Sequence, residues 1–157
     1  MIANTNTPEE IRTTAYLWRG NAKLENEDYG AANADFKEVI KRGGVSAAEA
    51  KYKLAFILYK QAEYKKAETE VFQLLEKYAS FDEWKFKGYL LLADVYVGMK
   101  DYFQARTTLN AIIEKVTVQW VVDEAKAKLA ALDAIENPAG NGTSTPDEIN
   151  LQPEGNN

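Results

Sequence analysis

The stretch YLLLADVYVGMKDYFQARTTLNAII, residues 89–113, decides the fold. Its second half sets Tyr102, Ala105, Leu109 and Ile112 at steps of three and four, and Val116 continues the row. That spacing returns an apolar side chain to one helix face at every turn. The same opening, Tyr-x-x-Ala, starts two further rows: Tyr29, Ala32, Phe36, Val39 and Tyr64, Ala67, Val71, Leu74, Tyr78. The three tyrosines lie 35 and 38 residues apart, and self-similarity at such a period marks stacked supersecondary units.

Candidate helix starts interleave with these rows. Thr7-Pro8-Glu9-Glu10, Ser46-Ala47-Ala48-Glu49 and Ser80-Phe81-Asp82-Glu83 each fit a capping box, with Pro8 at a first helical position. Gly43-Gly44 supplies a stop for the helix that begins near Asp28. The pattern predicts three helix pairs, roughly 8–26 with 28–42, 46–62 with 64–78, and 81–99 with 101–117. A seventh helix over about 120–136 sets Val122, Ala125, Leu129, Leu132 and Ile135 on one side. Glu124, Lys126, Lys128, Ala131 and Asp133 occupy its other side, the expected solvated face of a cap.

Composition bounds the chemistry. The 157 residues suffice for one domain, and 46% hydrophobic with 27% charged residues allows a buried core. A formal charge of -5 and a pI near 4.9 argue against a basic nucleic-acid footprint. With no cysteine and no histidine, thiol nucleophiles, disulfides, Cys/His zinc sites and imidazole acid–base chemistry are excluded. Tyr89 to Met99, the most apolar window, is interrupted by Asp94 and is far short of the ~20 residues of a membrane helix, so no membrane insertion is expected. Residues 1–7 are expected to be flexible and show no signal-peptide pattern. Residues 137–157 hold three of the four prolines, three acids and no Lys or Arg, and are expected to form a disordered tail.

On these residues the chain resembles a tetratricopeptide repeat protein. The third repeat matches with Tyr89, Leu92-Ala93, Tyr96, Tyr102, Ala105, Leu109 and Ile112, and the second with Leu54-Ala55, Leu58, Tyr64, Ala67, Val71 and Leu74. The first matches with Tyr16, Arg19-Gly20, Asp28-Tyr29, Ala32 and Phe36. The resemblance implies an all-α, right-handed α-solenoid with repeats at about 13–46, 48–81 and 86–119, a capping helix at about 120–136, and a domain spanning 8–136. The third repeat and its flanks are also similar to multi-repeat proteins of the Bacteroidota, many of them envelope-associated. A complete chain implies a cytoplasmic location, and a fragment of a longer exported protein a periplasmic or envelope-associated one.

The family resemblance implies a non-catalytic scaffold for a protein or peptide partner, with no cofactor, no metal and no nucleic acid. The alternative is a terminal structural segment of a longer solenoid, which Ile11, Ala15 and Trp18 on one stripe of the first helix leave open. In the family the first helix of each pair lines the concave face. Tyr52, Lys53, Phe56, Tyr59 and Lys60 fall there in the second repeat, apart from the core stripe Leu54, Ala55, Leu58 and Ala62. A helix apolar on two sides is buried twice, or buried once and used once. The equivalent positions are Leu17, Trp18, Asn21 and Leu24 in the first repeat, and Lys87, Leu90, Leu91, Asp94 and Val97 in the third. Members that grip a C-terminal carboxylate carry Lys and Asn, then Asn, then Lys and Arg at places that read here Leu17 and Asn21, Lys53, and Lys87 and Leu91. Only Asn21 and Lys87 agree, so the expected groove is an apolar, aromatic trough edged by Lys53, Lys60 and Lys87.

Overall fold

Between Pro8 and Pro138 the chain has no proline, and nothing there interrupts a backbone hydrogen-bond ladder. A computed structural model describes residues 8–138. It contains α1 (Glu9–Glu25), α2 (Tyr29–Ile40), α3 (Gly44–Lys60), α4 (Tyr64–Lys77), α5 (Asp82–Gly98), α6 (Tyr102–Lys115) and α7 (Gln119–Glu136). The seven expected helices are present, with no strand among the described residues. The terminal segment expected to be flexible, 1–7, and all of the expected tail beyond Pro138 lie outside the described residues.

Each helix packs on the next in sequence, and α1, α3, α5 and α7 also touch one another in order. No such contact joins α2, α4 and α6, so the two-layer stack bends with the odd-numbered helices on its inner side.

One turn geometry recurs three times. Glu27, Ala62 and Lys100 all adopt a left-handed backbone, with φ of 58°, 58° and 60°. After each, the next amide bonds five residues back: Asp28 N to Lys23 O, Glu63 N to Leu58 O and Asp101 N to Tyr96 O, all at 2.9 Å. These are three copies of one Schellman turn, each carrying a side chain where glycine is the unstrained residue. Ala62, expected in the core stripe, is therefore an exposed turn residue, and the fully buried Ile57 takes the place beside Leu54 and Ala55. Ala62→Gly is expected to raise stability by about 0.5–1 kcal/mol, read as a higher denaturant midpoint with unchanged slope. An unchanged or lower midpoint would show that the turn carries no strain.

The helix starts differ from the capping-box expectation. Asp28 and Asp101 cap α2 and α6 by accepting from the amides of Ala31 and Gln104 at 3.2 and 3.1 Å. Ser46 lies inside α3, which starts at Gly44 because Gly43 and Gly44, at φ 77° and 73°, turn the chain earlier. Phe81 rather than Ser80 precedes α5, and Pro8 caps α1 without a side-chain bond instead of opening it. Thr7 lies outside the described residues. The serines matched a local pattern, but the turn at Gly43 and Gly44 starts α3 ahead of Ser46, and α5 starts two residues beyond Ser80.

The core runs the length of the stack. Val71, Leu92, Val95, Leu109, Val121, Ala125 and Leu132 belong to one continuous cluster, while Phe36, Val39, Leu54 and Ile57 join the first two pairs. Close approach needs glycine at three places. A Cβ on Gly20 would stand 2.7 Å from the Phe36 ring, one on Gly88 2.9 Å from Leu74, and one on Gly98 2.4 Å from Tyr64. In α7 the buried residues are Val121, Ala125 and Leu132, so the stripe is displaced from Val122, and Ile135 is half exposed.

Among the described residues, one charged side chain is buried. Asp35 is 2% exposed between α1 and α2, bonded at 2.8 Å by both Arg19 Nε and Lys23 Nζ, with a second Arg19 nitrogen on its other oxygen. Burial pushes its carboxyl up, but the two cations outweigh burial and hold it below the ordinary carboxylate range.

Candidate functional site

On the inner side, α3, α5 and α7 enclose an open cleft of about 430 Å³. Its lining unites Tyr52, Lys53 and Phe56 of α3 with Lys87, Leu90, Leu91 and Asp94 of α5. These seven were expected to share a face, and their helical spacing explains why they do. Leu24 of α1 reaches the edge of the same cleft. Trp84, Trp120, Glu124 and Lys128 complete it.

The other expected groove residues lie elsewhere. Leu17 packs into the cluster around Phe36. Asn21 donates from Nδ2 to Glu49 Oε1 at 3.4 Å, bridging α1 and α3. Tyr59 continues the aromatic row, its ring 6.4 Å from Phe56 and 6.0 Å from Tyr64, and does not line the cleft. Lys60 ends α3 in solvent, also outside the lining.

The aromatic wall is both packing and surface. Tyr52 sits 6.3 Å from Phe56 and 5.6 Å from Trp84, ring centre to ring centre, and all three rest against buried core residues. Trp84 is 8% exposed, whereas Trp120, at the first turn of α7, is 46% exposed. The tyrosine hydroxyl at position 52 is pushed up to about 12, first by burial and then by the Asp94 and Glu124 carboxylates. Tyr52 therefore stays a neutral phenol across physiological pH.

Charge in the cleft is mostly answered internally. Lys128 Nζ lies 2.9 and 2.8 Å from the two Asp94 oxygens and 3.4 Å from Glu124. Burial raises the Asp94 carboxyl above its ordinary value, with Glu124 adding to this and Lys128 only partly offsetting it. Lys87 bonds Glu83 at 2.6 Å, and its ammonium stands 4.4 Å above the Trp84 ring. Lys53 enters no ion pair among the described residues.

Glu124 and Lys128 correct the reading of α7 as a cap whose polar side faces only water. The sequence signals were an i,i+4 acid–base pair on α7 and a lone acid inside the apolar α5, and only the α5–α7 contact joins them. Trp84 stands three and seven residues before Lys87 and Leu91, and Trp120 four and eight before Glu124 and Lys128, so helical spacing is the signal that could have found them.

No family model matches the chain, and no curated protein matches it either.

Proposed function

We propose that the chain is a non-catalytic scaffold of the tetratricopeptide type, a right-handed solenoid that holds a protein or peptide segment in the α3–α5–α7 cleft. The observation that carries this reading is the pairing of an apolar wall with one unanswered cation. Leu90, Leu91, Tyr52, Phe56, Trp84 and Trp120 offer anchors' pockets, and Lys53 offers charge. Such a surface suits a segment with aliphatic side chains and an adjacent carboxylate. Tyr52 and Phe56 pack on the core, so replacing them would confound folding with binding. Lys53 and Trp120 are the cleaner probes. An array of short acidic–aliphatic peptides should find binders to the full chain, and Lys53→Glu with Trp120→Ala should weaken them about tenfold or more while the helical circular dichroism is unchanged. Binding at wild-type strength by that variant would remove the cleft as the site.

A second reading has its own observation. Ile11 and Trp18 of α1 are 57% and 72% exposed. The places that the repeat spacing matches to Ile11, Ala15 and Trp18 hold the buried Trp84, Ala50 and Leu91. A bare stacking face fits a segment of a longer solenoid. Appending a preceding helix pair should then bury Trp18 and blue-shift its fluorescence; an unshifted emission would count against this reading.

A further inference from the structure

We propose that residues 147–151 of this chain, Asp-Glu-Ile-Asn-Leu, occupy the α3–α5–α7 cleft as an internal ligand that an outside partner must displace. The inference rests on the cleft being a peptide-binding site, as proposed above.

Three observations carry it. The first is chemical match. Residues 139–157 contain three carboxylates, no Lys or Arg, and just two large aliphatic side chains, Ile149 and Leu151. Their spacing of two places both on one side of an extended segment, with Asp147 and Glu148 just before them. The cleft offers the complement: an apolar wall ending in the half-exposed Trp120, and Lys53 without a carboxylate among the described residues.

The second is reach. Trp120, Glu124 and Lys128 line the cleft from α7, and the chain leaves α7 at Glu136. At 1.5 Å per residue, the way back from Glu136 is about 12 Å to Lys128 and about 24 Å to Trp120. The eleven residue-to-residue steps from Pro138 to Ile149 can span up to about 36 Å, so the length of the chain reaches the cleft.

The third is tethering. Two aliphatic anchors and a pair of carboxylates bind weakly from solution. Carriage on the same chain, so near the cleft, supplies an effective concentration in the millimolar range, enough to fill such a site in part while leaving it open to a better ligand.

The test uses the full chain. Nitrogen-15 correlation spectra of the wild type and of an Ile149→Ser, Leu151→Ser variant should differ at the Trp84 and Trp120 indoles and at the Tyr52, Lys53 and Phe56 amides. The Trp18 indole, on the far helix α1, should not move. A synthetic peptide of residues 143–157 added to the variant should return the shifted signals toward their wild-type positions. Coincident spectra for wild type and variant overturn the internal ligand. If they coincide while other acidic–aliphatic peptides still shift the cleft signals, the binding reading survives alone. If no peptide shifts them, both fall.

Discussion

Phe36→Ala is expected to destabilise the chain by about 3–5 kcal/mol, the usual cost of emptying an aromatic site that cannot collapse. Phe36 is fully buried, and its ring lies against Gly20 so closely that a Cβ there would be 2.7 Å away. That contact fixes α1 on α2. Gly20 is the one fully buried residue of α1, and the half-buried Tyr16, Leu17 and Leu24 pack against the same cluster at the open end of the stack. The loss should therefore be local as well as large. Amides of α1 should exchange with solvent much faster in the variant, while those of α5, inside the continuous core, should keep their protection. Denaturant titration gives the size and hydrogen exchange the location. A loss below about 1 kcal/mol, or uniform loss of protection along the stack, would contradict this account. Gly20→Ala attacks the same contact from the other side and should cost about 1–3 kcal/mol by overpacking.

Asp35→Ala should cost about 2 kcal/mol at neutral pH. Deleting one partner of a buried ion pair can cost more, but Arg19 and Lys23 are 46% and 28% exposed in their side chains and can turn toward water. The pH dependence identifies the cause. The folded carboxyl lies below its unfolded value, so its stabilisation is present above the unfolded value, near pH 4, and is lost as pH falls through the folded one. The wild type should accordingly lose stability below about pH 4 more steeply than the alanine variant. Parallel acid limbs in the two proteins would show that the ion pair contributes nothing.

The Arg19–Lys23–Asp35 cluster also shows where sequence reading loses its grip. In the second and third repeats the places of Arg19 and Lys23 hold Leu54 and Leu58, then Leu92 and Tyr96. The first helix pair holds an ion triad where the later pairs have apolar residues, and Asp35 stands within the stripe Ala32, Phe36 and Val39. Periodicity marks that stripe as buried without saying which cations from another helix answer the acid.

The sequence by itself determined the seven helices, their approximate ends and their order, because burying one stripe per turn is a local demand that leaves a local pattern. It also placed Tyr52, Lys53, Phe56, Lys87, Leu90, Leu91 and Asp94 on one side, since each set lies on a single helix. Tertiary structure alone decided the rest. It left Leu17, Asn21, Tyr59 and Lys60 outside the cleft lining and brought in Trp84, Trp120, Glu124 and Lys128. The physical reason is the same in each case. Spacing along a helix fixes the direction in which a side chain points, whereas what it meets depends on how neighbouring helices are rotated and offset, and that is set by the packing of the whole stack.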